Sequence, residues 1–130
     1  MMTLGLIIGL ALPNGTLTPG AAIRGVSAAQ VCSRGYARRA RHRYDREWRR
    51  LAAAVRREYN VRGPGYRIDH LVPIEVGGAP FDIRNLWPQP VAESRIKDEI
   101  ENSAHERICA GTVRIEDAQR AFERNWTTAR

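Results

Sequence analysis

The sequence predicts a single small α+β domain, on three observations: a length of 130 residues, helical apolar stripes on both sides of the centre, and a central stretch of β-forming residues broken by glycine and proline. At this size folding buries roughly two thirds of the unfolded surface. With 43% hydrophobic residues, one core is attainable if nearly all of the chain takes part, and a large multidomain enzyme is excluded.

Each element has its own signal. Leu4 to Leu12 reads LGLIIGLAL, too short for a spanning helix of about twenty residues. It predicts no stable membrane insertion. Residues 1–30 read as a secretory leader, cut near Ala28 or Ala29, or as a loosely packed tail, with the folded domain over 31–130. The expected location is secreted or cell-envelope, with the cytoplasm as the alternative. From Tyr44 to Tyr59, Trp48, Leu51, Ala52, Val55 and Tyr59 recur at spacings of three and four and mark one helix. Asn60 and Gly63-Pro64-Gly65 end it. Tyr66 to Ile74 is the first strand candidate, Gly77-Gly78-Ala79-Pro80 a loop, and Asn85-Leu86-Trp87 a short second strand closed by Pro88-Gln89-Pro90. A further helix is predicted from Glu93 to Cys109, with Ile96, Ile100, Ala104 and Ile108 on its buried face. Gly111 ends it. Thr112 then caps a last helix through Ile115, Ala118, Ala121 or Phe122, and Trp126.

The charge is unevenly placed. Val31 to Arg67 holds twelve arginines against three acids, a balance of +9 in a chain whose net charge is +7. Arginine pairs bidentately with phosphate oxygens, so this third of the molecule predicts a polyanion-facing surface, with Arg38, Arg39, Arg46, Arg49, Arg50, Arg56 and Arg57 as its members. The alternative is a solvated helix face whose arginine content reflects codon usage. Cys32 and Cys109 are the two cysteines. They are read either as a disulfide closing the domain end to end, worth about 4.5 kcal/mol in the chain-entropy account, or as two separate buried thiols. With no CxxC and no second cysteine pair, a zinc site built mainly on cysteine is not expected.

Asp69-His70 is the chemical centre. Adjacent residues of an extended segment point to opposite faces, so they do not form a simple ion pair. A strand end can nevertheless present a carboxylate and an imidazole to one phosphate.

At these residues the sequence resembles the HNH endonuclease superfamily, the ββα-metal fold. The matching pieces are Asp69-His70-Leu71-Val72-Pro73, Gly77-Gly78, Asn85-Leu86-Trp87-Pro88 and a following helix with Lys97. The resemblance extends to a group of small, often secreted bacterial proteins of that superfamily through Cys32, Gly35-Tyr36, Lys97-Asp98, Glu101-Asn102, His105, Cys109, Gly111, Ala118-Gln119 and Asn125-Trp126. It runs from about residue 31 to residue 126. It implies an α+β fold with an HNH-like core, an arginine-rich helix before it and an additional helix behind. It further implies metal-dependent hydrolysis of nucleic-acid phosphodiesters, DNA ahead of RNA, with Mg2+ or Mn2+. His70 would be the general base, Asp69 a metal ligand, and Asn85 the residue that positions the loop. A neutral imidazole can take the proton from water near pH 7, and a cation can stabilise the phosphate charge.

The chain departs from the family pattern at the second metal ligand, usually His or Asn two or three residues before the lysine. Ser94 and Arg95 stand there. Glu93 or Asp98 would have to substitute, as hard oxygen ligands. Asp98, Glu101 and His105 also share a helix stripe, read as a surface charge network rather than a metal site. Arg95 and Lys97 are expected to hold the phosphate. Two rival readings are a secreted basic nucleic-acid-binding module that keeps the fold without cutting, and a disulfide-closed structural domain that binds no nucleic acid.

Overall fold

The computed structural model describes residues 9–42 and 45–130, so the first part of the apolar run and Tyr44, the expected helix start, lie outside them. The described chain is a mixed α+β domain. Its elements are α1 (Ala28–Val31), α2 (Tyr36–His42), α3 (Asp45–Tyr59), β1 (Tyr66–His70), β2 (Leu86–Pro90), α4 (Ser94–Cys109) and α5 (Ile115–Asn125), with single 3-10 turns between and after them.

β1 and β2 form one antiparallel ribbon, with Tyr66 opposite Pro90 and His70 opposite Leu86. Pro88-Gln89-Pro90 does not close β2 as expected, because the prolines occupy permitted positions. Beyond the ribbon ends, Leu71 N donates to Asn85 O and Val91 N to Gly65 O. The alternation between these bonds places Pro88 and Pro90 at positions whose missing N–H would point away from β1. The first strand is shorter than predicted. It ends at His70, and Ile74–Val76 is a 3-10 turn.

α3 covers one face of the ribbon through Val55, Ile68 and Leu86. α4 and α5 supply the larger core with Trp87, Ile100, Ala104, Ile108, Phe122 and Trp126. The α5 stripe is as predicted, but its N-cap is Arg114, and the Thr112 hydroxyl instead donates to Arg107 O. On α4 the expected face is corrected by one position: Ile96 is exposed and Lys97 is buried in its place.

Residues 10–30 are not a loose tail. Leu10, Ala11, Val26 and Ala28 pack on the main core. Gly20 N donates to Arg84 O, Ile23 N to Gly77 O and Ala79 N to Ala21 O. Buried Thr18 bonds Leu86 O and the Tyr59 hydroxyl, while Ser27 and Gln30 form a capping box that starts α1. These backbone groups find partners on the core, and this favours the packed segment. The Cys32–Cys109 disulfide joins the end of α1 to the end of α4.

Candidate active site

The alternation of β1 sends its last two residues to different helices. His70 shares its face with Ile68 and stacks on Trp48 of α3, with ring centroids 5.2 Å apart and planes 25° apart. Asp69 faces α4, where its Oδ2 lies 2.8 Å from Lys97 Nζ. The two neighbours are kept apart, in agreement with the extended geometry.

His70 has the geometry of a base. Its Nε2 lies 3.0 Å from Pro80 O, and a carbonyl only accepts, so Nε2 carries the ring proton and Nδ1 keeps its lone pair. Burial pushes the His70 pKa below its ordinary 6.5, and Arg41 and Lys97 push it the same way. The Pro80 bond and the Asp69 charge oppose them without prevailing. The ring is therefore neutral at pH 7.

The loop that carries Pro80 is held by Asn85. This fully buried amide accepts from Val72 N at 2.9 Å and Ala21 N at 3.2 Å, and donates to Val72 O and Ala79 O at 3.0 Å each. Every hydrogen-bonding group of the side chain is used in ordering the loop. Gly78 is required beneath it, since a Cβ there would lie 1.8 Å from Val72 O. Asn85 thus acts on the loop rather than on anything in solvent.

A cavity of about 390 Å³ opens beside the His70 ring, lined among others by Arg41, Trp48, Arg67, Asp69 and Phe81. Lys97, expected to hold phosphate, does not face it. It is 0% exposed, and its ammonium donates to His70 O at 2.8 Å and Glu101 Oε1 at 2.7 Å while pairing with Asp69. Burial alone would lower the Lys97 pKa, but Asp69 and Glu101 outweigh it and hold the group above its ordinary 10.5. Burial in turn pushes Glu101 up to about 7, with Lys97 opposing and Asp69 adding to the rise.

The proposed metal ligands are only partly brought together. Asp69 Oδ1 and Asp98 Oδ1 stand 3.9 and 3.8 Å from the same Arg67 guanidinium nitrogen. Glu93 is engaged elsewhere, accepting from Ala11 N at 2.9 Å. A divalent ion does not fit this donor set: one Asp69 oxygen is on a buried ammonium, the other shares a guanidinium with Asp98, and Glu93 is committed to the N-terminal segment. Cys32, His105 and Cys109 also place ligand-type atoms within 4.8 Å of one another. The disulfide occupies both sulfurs, and His105 Nε2 bonds Val31 O at 3.0 Å.

Among the remaining predicted contacts, Arg38, Arg46, Arg49, Arg50 and Arg57 are exposed on α2 and α3. Arg39 is turned onto Arg34 O at 2.6 Å and Arg56 onto Tyr66 O at 3.0 Å, so these two are partly spent on local structure. Arg95 is exposed, with Glu99 at 3.9 Å. Trp48, Arg41 and Arg67 are the site residues that sequence reasoning did not single out. Trp48 lies on the α3 stripe and reads as core. Arg67, two residues before Asp69, shares its strand face by alternation, and that signal was available. Nothing in spacing distinguishes Arg41 from its arginine neighbours. In comparison with known proteins, no family model matches the chain, and no curated protein or solved structure matches it.

Proposed function

We propose that this chain is a secreted, HNH-like hydrolase of nucleic-acid phosphodiesters, with His70 as the general base. The observation that carries the reading is the His70 ring. It is held through Nε2 by Pro80 O, kept neutral by burial, and set at the wall of a cavity that also receives Arg41 and Arg67. The β1, β2, α4 order supports an HNH-like core, and the disulfide supports an oxidising compartment.

In the mechanism, water bound in the cavity gives a proton to His70 Nδ1 as its oxygen attacks phosphorus. The guanidinium groups of Arg41 and Arg67 bind the phosphate oxygens, and Trp48 keeps the imidazole plane in place. The exposed arginines of α2 and α3 draw in the backbone. Mg2+ or Mn2+ is the cofactor that the HNH resemblance implies, but the donor set does not accommodate it.

The test is cleavage of plasmid DNA and of RNA by the disulfide-bonded chain, with His70→Ala as control. Cutting reduced by about a hundredfold or more in the variant supports the assignment. Equal cutting by both proteins overturns it. Salt-sensitive binding without cutting would identify the rival binding module, a reading favoured by the pairing of Asp69 with Lys97.

A further inference from the structure

We infer that the cations of this site are the chain's own, so that hydrolysis at His70 runs without a divalent metal ion. The inference rests on the hydrolase reading for the reaction, but its cation assignment stands on geometry. The Lys97 ammonium donates to His70 O at 2.8 Å and Glu101 Oε1 at 2.7 Å and is ion-paired with Asp69 Oδ2 at 2.8 Å, so three oxygens surround its charge. It is 0% exposed, so its charge is matched by groups of the fold rather than by water. The outer oxygen of Asp69 meets Arg67, which also stands beside Asp98. A divalent ion at Asp69 would therefore lie within a few ångströms of a buried ammonium and a guanidinium, a repulsion that the low local dielectric magnifies.

The same side chains supply what the reaction needs. Arg41 and Arg67 border the cavity and can each donate two hydrogen bonds to a phosphate without losing a proton. The step balances with water as the only co-reactant. The water oxygen forms the new bond to phosphorus, its proton passes to His70 Nδ1 and on to solvent, and the ester P–O bond breaks. The leaving oxygen takes a proton from solvent. Lys97 stays outside the reaction as the fixed counter-ion that orients Asp69 and holds the His70 carbonyl.

The experiment uses the full disulfide-bonded chain stripped of metal, with two readouts: cleavage in EDTA against cleavage in added Mn2+, and Mn2+ binding followed by electron paramagnetic resonance. We expect His70-dependent cleavage unchanged by EDTA, no saturable Mn2+ binding below millimolar, and a fall of about tenfold to a hundredfold in kcat/KM for Arg41→Ala and for Arg67→Ala. Cleavage abolished by EDTA and restored by Mn2+ overturns the inference and leaves His70 as base. Saturable Mn2+ binding that Asp69→Asn removes also overturns it, whether or not the chain cuts; absence of binding supports the cation assignment in the same way. Absence of cleavage in every condition instead overturns the hydrolase reading, so the two failures are distinguishable.

Discussion

At the scale of single residues, the site depends on a buried amide and a half-buried imidazole with different tasks. Asn85 completes four hydrogen bonds around one loop, and truncation would leave buried backbone groups without partners. Asn85→Ala should cost about 3–5 kcal/mol, read by urea denaturation, and a loss under about 1 kcal/mol would show that the loop holds itself. His70 is both held, by Pro80 O and Trp48, and tuned. Because its pKa lies below 6.5, the basic form persists to lower pH than in an ordinary histidine. The acid limb of kcat/KM should therefore fall below pH 6.5, and a limb above that value would point to another base.

At the scale of elements, α3 and α4 divide the work. α3 lays Trp48 against His70 and turns Arg46, Arg49 and Arg50 outward. Replacing all three by Ala should flatten the salt dependence of nucleic-acid binding, lowering the slope by about 0.9 for each duplex phosphate that is no longer neutralised; an unchanged slope would place the polyanion elsewhere. α4 contributes the buried Lys97 and Glu101 one turn apart. The Glu101 pKa, about 7 in the fold against 4.5 for the free group, means that the folded chain binds the extra proton between those values. This contribution to stability is full below about 4.5 and is lost as pH rises through about 7. The Tm of the wild type should thus fall from about pH 5 to about pH 8 more steeply than that of Glu101→Gln, as differential scanning calorimetry would show. Parallel profiles would mean that Glu101 is ionised throughout.

At the scale of the whole molecule, the Cys32–Cys109 bridge closes a separation of 77 residues. Reduction should destabilise the fold by about 4.5 kcal/mol, measured as a shift of the urea midpoint with and without a dithiol. The same domain has drawn residues 10–30 into its core, so this segment supports the site through the Ala21 bond to Asn85 and the Ala79 bond to Ala21. No helix among the described residues is long and apolar enough to cross a membrane.

The sequence by itself determined whatever depends on local periodicity and local stereochemistry. The α5 stripe, most of α3, the β-forming segment at Tyr66 and the opposite facing of Asp69 and His70 follow from spacings of three and four, or of two, along one element. The glycine pair at 77 and 78 was likewise legible as a turn. Tertiary structure decided what those faces meet. Lys97 reads as a solvent-reaching cation, yet two carboxylates and a carbonyl distributed over β1 and α4 make its burial tolerable. Pro88 and Pro90 read as a stop, yet the ribbon's register points their missing donors away from β1. The N-terminal segment lacks a strong periodic signal, and its order comes from backbone partners on the loop at Gly77 and on Arg84. Long-range pairing satisfies charges and backbone groups across elements distant in sequence, and no pattern within one element carries that information.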